Sequence, residues 1–146
     1  MTLKNWETAK LISAHTSSAE EIQNLFEIAD RDLKDCQVEA VSVDRRFEIA
    51  YNAALQVATA ALFASGYRAG RDSHHYYVIE SLKHTINFDP DILNKFRLKR
   101  SKANYEFVGV VSNQELSEMM KTAIHLRTKV EEWITKNHPA LIRKQK

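Results

Sequence analysis

The sequence is poor in residues that break regular structure, with 3 glycines and 2 prolines among 146 residues. So few turn-forming residues argue against an all-β domain, which needs many tight turns. A chain of this length is expected to form one domain, residues 1–146, with a substantial buried core. The sequence shows no internal repeat, no low-complexity tract and no sign of a second domain.

Cysteine is nearly absent as well, because Cys36 stands alone and cannot form an internal disulfide. A lone thiol is typical of proteins from reducing compartments, and we interpret Cys36 as a packing residue. No secretion-signal pattern or convincing membrane span is found, so we expect a cytoplasmic protein that does not bind membranes. The net charge of +2 excludes a strong overall basic field. The P-loop, GxGxxG, CxxC, HExxH and GxSxG signatures are also missing.

The most informative segment is residues 44–67, DRRFEIAYNAALQVATAALFASGY. It is apolar at most positions and rich in alanine, which favours helix and allows close approach of neighbours. Its polar residues recur at steps of three or four and so form one strip along a helix. The members of this polar strip are Arg45, Glu48, Asn52, Gln56 and Thr59. A helix that is apolar around most of its circumference needs neighbours on several sides. We therefore predict a long central buried helix, whose strip faces either solvent or a cleft beside another helix.

Hydrophobic periodicity and capping signals predict the remaining elements. The fold class is all-α, a single-domain up-and-down bundle of five to six helices. Further helices are expected over residues 3–13, 18–37, 74–87, 90–104 and 113–137, with Ile92 and Ile124 on buried faces. Segments 67–72 and 105–111 are predicted as a loop and a packed linker. The tail, residues 139–146, is expected to be frayed.

The adjacent histidines His74 and His75 raise the question of a metal site. Neighbouring residues on a helix point in different directions, so they rarely share a metal ion. We predict no metal site and no cofactor. His75 is expected to be partly buried against the central helix, with His74 near the preceding loop.

A basic patch, RLKRSK, is the stronger candidate for a binding site. Arg97, Arg100 and Asn104 follow one another at i, i+3 and i+7 and so share one face of their predicted helix, and Tyr105 follows directly. Guanidinium groups match phosphate oxygens, and an aromatic ring can stack on a nucleobase. The alternative is a solvated helix end whose cations complement the helix dipole.

The order of these signals resembles the HEPN superfamily (higher eukaryotes and prokaryotes nucleotide-binding), small helical bundles common in prokaryotic toxin–antitoxin and defence loci. The resemblance covers about residues 26–105. The matching segments are Ala50-Tyr51-Asn52-Ala53-Ala54, Gly66-Tyr67-Arg68, His74-His75 and Ile79-Glu80, followed by RLKRSKANY.

Where active, this family cleaves RNA without metal, through an Arg that is followed four to six residues later by a His. A polar residue usually follows the Arg, and two copies commonly meet across a homodimer interface. In this sequence Arg100 and Ser101 match, but Tyr105 occupies the histidine position. A phenol with a pKa of about 10 transfers protons poorly near neutral pH. The resemblance therefore implies RNA or nucleotide contact without standard nuclease activity.

The expected function is thus a dimeric HEPN-like binding or interaction module in a toxin–antitoxin-like system. Its implied partners are RNA or a nucleotide and a protein such as a nucleotidyltransferase-type antitoxin. The candidate binding residues are Arg97, Arg100, Asn104, Tyr105, Arg68, Arg71 and His74. Two alternatives stay open. One is a metal-independent ribonuclease that uses Arg100 with Asn104 or Tyr105, and the other is a structural protein that only binds another polypeptide.

Overall fold

The computed structural model describes residues 2–70, 74–105 and 108–142, and the side chains of His74, Asn104 and Tyr105 lie outside the described part. The fold is a helical bundle with a long central helix, which confirms the predicted class. In chain order the elements are α1 (Leu3–Thr8), β1 (Ile12–Ala14), α2 (Ala19–Asp35), α3 (Val43–Ala64), β2 (Tyr67–Ala69), α4 (His74–Glu80), α5 (Leu82–Thr85), α6 (Asp91–Tyr105), α7 (Asn113–Asn137) and a 3₁₀ turn (Pro139–Leu141).

Helix α3 is the centre of the bundle, as predicted. The Ser42 hydroxyl caps its start by accepting from the Arg45 N–H. Gly66 follows its end with a φ of +93°, a left-handed conformation that glycine adopts readily. Helices α2 and α7 pack most extensively against α3, and α4 and α6 pack against it as well. By length and composition α3 could cross a membrane, but 72% of its most apolar window is buried inside the fold, as in the core helix of a soluble protein.

A paired arginine joins α2 to α7 on the outside of the bundle. Arg127 on α7 donates to both carboxylate oxygens of Asp30 on α2, at 2.7 and 2.9 Å, and also to Glu131. Its guanidinium lies 4.9 Å from the ring centroid of Phe26. The hydrogen bonds to Asp30 raise the pKa of Arg127 above its ordinary value. Two-pronged pairs of this kind are the strongest of the arginine–carboxylate contacts.

A small sheet was not predicted. The helix expected over residues 3–13 ends at Thr8, and Lys10 turns the chain with a φ of 64°. Strand β1 then pairs antiparallel with β2, with Ile12 opposite Ala69. The predicted helix is wrong beyond Thr8, and the predicted loop is wrong over β2. Three-residue strands carry too little periodicity to be recognised, and their pairing depends on a distant segment.

The helix predicted over residues 74–87 is broken into α4 and α5 at Ser81. The buried Ser81 hydroxyl donates to the Val78 carbonyl at 2.6 Å. Such bonding from a serine to the preceding turn competes with regular helix geometry. If α4 and α5 are counted as one broken helix, the described part of the chain has six helices, within the predicted five to six.

Two predicted core residues lie on the surface instead. Ile92 on α6 is 40% exposed and Ile124 on α7 is 47% exposed. Their neighbours Leu93 and Leu126 are buried. The other predicted core residues of both helices are buried or pack against the core, so the prediction is wrong at these two positions alone. Both stripes contain adjacent apolar residues, so periodicity alone did not determine which of them faces the core.

The linker after α6 is held by an acidic residue in the first turn of α3. Asp44 on α3 accepts from the N–H groups of Gly109 and Val111, at 2.7 and 3.2 Å. Val111 is buried, whereas Val108 is 99% exposed and so is not packed as expected. Residues 106–107 and 143–146 lie outside the described part. After α7, Leu141 and Ile142 pack against the core.

Candidate functional site

Side chains from α2, α3, α4 and α6 surround a cavity of about 200 Å³, which we call the arginine pocket. Its lining includes Asp32, Arg45, Tyr51, Asn52, His75 and Arg100. The first half of the polar strip of α3 therefore faces a cleft beside α6. This is one of the two orientations expected from the sequence. Farther along the strip, Thr59 is buried and donates to the Leu55 carbonyl, so the strip does not form one continuous surface.

Arg100 lines this pocket without an anionic partner among the described residues. Its guanidinium lies 5.7 Å from the ring centroid of Tyr51, within reach of a cation–π interaction. Within residues 2–70, 74–105 and 108–142, Arg100 has no carboxylate within ion-pair distance. No described carboxylate therefore neutralises its guanidinium.

Tyr51 and His75 form a hydrogen-bonded pair beside Arg100. The phenol oxygen of Tyr51 lies 3.0 Å from Nδ1 of His75. Burial raises the pKa of Tyr51 to about 12, although the charges of Arg100 and Arg97 act in the opposite direction. Because the phenol keeps its proton at neutral pH, it can donate to Nδ1 of a neutral His75, which places the ring proton on Nε2. The pair thereby sets the orientation of the imidazole.

The carboxylates of the pocket have their own partners. Asp32 is 6% exposed and accepts from the Asn52 amide at 2.6 Å, and it also accepts from Arg31 at 3.1 Å. Arg45 and Glu48 form an ion pair of 3.3 Å on α3. The negative charges are therefore balanced without Arg100. The contact between Asp32 and Asn52 also fixes α2 against α3 beside the pocket.

The predicted binding residues do not converge as one group. Arg97 precedes Arg100 by one turn of α6 but lies over Tyr76, at 5.9 Å from its ring centroid, and not in the arginine pocket. Arg68 is exposed on β2 opposite Ser13. Arg71 lies outside the described residues, as do the side chains of His74, Asn104 and Tyr105.

The structure adds pocket residues that were not predicted as functional. Periodicity placed His75 correctly on the partly buried face of its helix, but did not show that this face meets α6. Tyr51 and Asn52 belong to the AYNAA segment, and Asn52 was assigned to the polar strip. The sequence does carry a signal for Asp32, because this residue follows the buried Ala29 by three positions and so lies on the same face of α2. A carboxylate on a buried face needs a partner.

Neither metal ligands among the described residues nor similarity to known proteins assigns a function to this pocket. Within the described ranges no three His, Cys, Asp or Glu residues form a cluster that could hold a metal ion. Cys36 is buried, as predicted, and burial raises the pKa of its thiol. The chain matches no protein-family model and no curated protein.

We expect Asn52→Asp to destabilise the protein at neutral pH by about 2 kcal/mol, the value of a hydrogen bond to a charged group. The substitution places two carboxylates in contact, which raises the pKa of one of them above its unfolded value. The lost stability should therefore return in part as the pH falls through that raised pKa. Urea unfolding at pH 7 and pH 4.5 measures the effect.

The matched control is Asn113→Asp, the same substitution at an exposed position in the first turn of α7. A carboxylate is favourable there, so no loss at pH 7 is expected. Equal unfolding midpoints for Asn52→Asp and the wild type at pH 7 would contradict the role of Asn52 as the partner of Asp32.

Proposed function

We propose that the protein is a HEPN-like helical module that binds RNA through a backbone phosphate held in the arginine pocket. The observation that carries the proposal is Arg100, a half-buried guanidinium in a cavity whose carboxylates already have other partners. A planar guanidinium matches two phosphate oxygens at once. A phosphate would thus supply the anion that Arg100 lacks in the described part of the chain.

The size and lining of the pocket favour a small anionic group. Its volume of about 200 Å³ is below the roughly 300–1,000 Å³ of sites for drug-sized ligands. A single phosphate, with part of its sugar, suits that volume better than a whole dinucleotide. His75, which is hydrogen-bonded to Tyr51, supplies a further polar side chain at the pocket. The family resemblance favours RNA over other phosphate-bearing molecules.

RNA binding should weaken when Arg100 is changed to alanine. For a single strand, the logarithm of affinity falls with the logarithm of salt concentration, and each lost phosphate contact reduces that slope by about 0.7. We therefore expect Arg100→Ala to reduce both the affinity at low salt and the salt slope. Fluorescence anisotropy with a labelled unstructured RNA at several salt concentrations measures both quantities.

Lys95→Ala is the control, since Lys95 is an exposed cation on α6 that does not line the pocket. It removes the same charge, so an equal loss in the two variants would indicate a diffuse electrostatic effect and argue against a phosphate site. No binding by the wild type at low salt would favour the third function, a structural partner of another polypeptide.

The resemblance also implies a homodimer and a nucleotidyltransferase-type partner, and both belong to the same proposal, together with the cytoplasmic location predicted from the sequence. We expect the purified protein to be a dimer at micromolar concentration. Static light scattering measures its mass, and a monomer would contradict a site that is shared between two copies.

A second function, metal-independent ribonuclease, is favoured by one specific observation. The histidine that is missing after Arg100 has a counterpart in His75, which reaches the same pocket from α4. Imidazole titrates near neutral pH and suits proton transfer. In such a reaction a base removes the 2′-hydroxyl proton and the 2′-oxygen attacks phosphorus. The 5′-oxygen then leaves with a proton, while Arg100 stabilises the charged intermediate.

We expect the wild type to leave RNA intact in the presence of EDTA, since a single histidine is the only side chain of the described pocket that transfers protons readily at neutral pH. Gel electrophoresis of end-labelled RNA after overnight incubation provides the measurement. Cleavage in EDTA that disappears in both Arg100→Ala and His75→Gln, but persists in Lys95→Ala, would replace binding by catalysis as the function.

A further inference from the structure

A second cavity, of about 320 Å³, lies on the surface formed by α1, α4 and α5. Four rings contribute to it, and we call it the aromatic cleft. These are Trp6, Tyr76, Tyr77 and His84. Its volume is at the lower end of the range of small-molecule sites, roughly 300–1,000 Å³, so one flat heterocycle would suit it. Nothing in the proposed phosphate site uses these residues.

The rings are held in fixed orientations by successive edge-to-face contacts. Trp6 is 5% exposed and meets Tyr77 at 5.5 Å and His84 at 5.1 Å between ring centroids. Tyr77 in turn meets Tyr76 at 5.1 Å, with an interplanar angle of 85°. Tyr76 is 43% exposed. The cleft therefore presents a half-exposed aromatic ring on a rigid aromatic support, the arrangement on which a base stacks without loss of side-chain freedom.

His84 contributes a ring whose protonated form is disfavoured by its surroundings. Burial lowers the pKa of His84, and its Nε2 is buried with no hydrogen-bond partner among the described residues. Charges lie around it on Glu80 and Lys83, which form an ion pair of 3.3 Å. Glu80 also accepts from the Asn94 amide at 3.0 Å. A neutral aromatic ligand is thus compatible with the rings of the cleft. Glu80, the carboxylate of the lining, already has two partners.

Helix α6 connects the aromatic cleft to the arginine pocket. Arg97 lies over Tyr76 at 5.9 Å, and its Nε donates to Asn94 at 3.3 Å. Both contacts are near their distance limits, so the guanidinium can turn to a phosphate at little cost. Arg100 follows one turn later, about 4.5 Å along the helix axis. Arg100 in the pocket and Arg97 beside the cleft therefore place two positive charges along α6. This arrangement complements a polyanion better than an apolar peptide.

We propose that the aromatic cleft receives an unpaired nucleobase of the RNA strand whose phosphate binds in the arginine pocket. The base stacks on the exposed ring of Tyr76, and Arg97 contacts the backbone between the two sites. Stacking of this kind tolerates all four bases, because each has a π-face. The inference rests on the proposed RNA-binding function and assigns to it a single-stranded substrate.

The test compares two labelled ligands of equal length and charge by fluorescence anisotropy. One is an adenosine decaribonucleotide, and the other is the same ribose-phosphate chain without bases. Tyr76→Ala should weaken binding of the adenosine ligand roughly tenfold and leave binding of the abasic ligand unchanged. Tyr76→Phe should bind both ligands as the wild type does, because the ring remains. Leu98→Ala, at a position 56% exposed on α6 and outside both linings, is the control.

Each outcome separates the two proposals. If Tyr76→Ala leaves the ratio of the two affinities unchanged while Arg100→Ala weakens both ligands, the base site is overturned and the phosphate site stands. Selective loss in Tyr76→Ala with no effect of Arg100→Ala would overturn the phosphate site and support the base site. If the wild type binds neither ligand at low salt, both proposals fail. Thermal melting of each variant, which should match the wild type because Tyr76 and Leu98 are exposed, excludes unfolding as the cause.

Discussion

Close packing against the alanine-rich surface of α3 determines where α2, α4, α5, α6 and α7 lie. Alanines such as Ala53, Ala58 and Ala61 are fully buried, and their short side chains allow α2 and α7 to approach α3 closely. Helices α4 and α6 then pack against the remaining surface of α3 and against each other. The candidate site exists because of this arrangement, since its residues come from four separate helices.

Two arginines lie over aromatic rings in this protein but differ in their anionic partners. Arg127 lies over Phe26 and has two carboxylate partners, Asp30 and Glu131. Its charge is therefore neutralised, and the pair with Asp30 joins α2 to α7. Arg100 lies over Tyr51 and has no carboxylate partner in the described part of the chain. A half-buried cation loses part of its solvation, and a bound anion would compensate for that loss. This contrast makes Arg100 the stronger candidate for binding an exogenous anion.

The arginine pocket also changes how the departure from the HEPN pattern is interpreted. In sequence, Tyr105 replaces the histidine that the family uses, and this replacement argues against nuclease activity. In the fold, His75 on α4 lines the same pocket as Arg100 and is hydrogen-bonded to Tyr51. The pocket therefore brings together an arginine and a histidine from two different helices. Binding and cleavage share the same cation, and they differ in whether His75 transfers a proton.

The sequence by itself determined the helical class, the central position of α3 and the cap of α7 at Ser112, because these depend on local periodicity and on short-range hydrogen bonds. It also predicted Arg100 as a binding residue and the partial burial of His75. Only the tertiary structure decided that these two side chains share a cavity, that Arg97 turns to Tyr76, and that β1 pairs with β2. The reason is physical. Each of these contacts joins segments far apart in the chain, and its geometry follows from how the helices pack around α3.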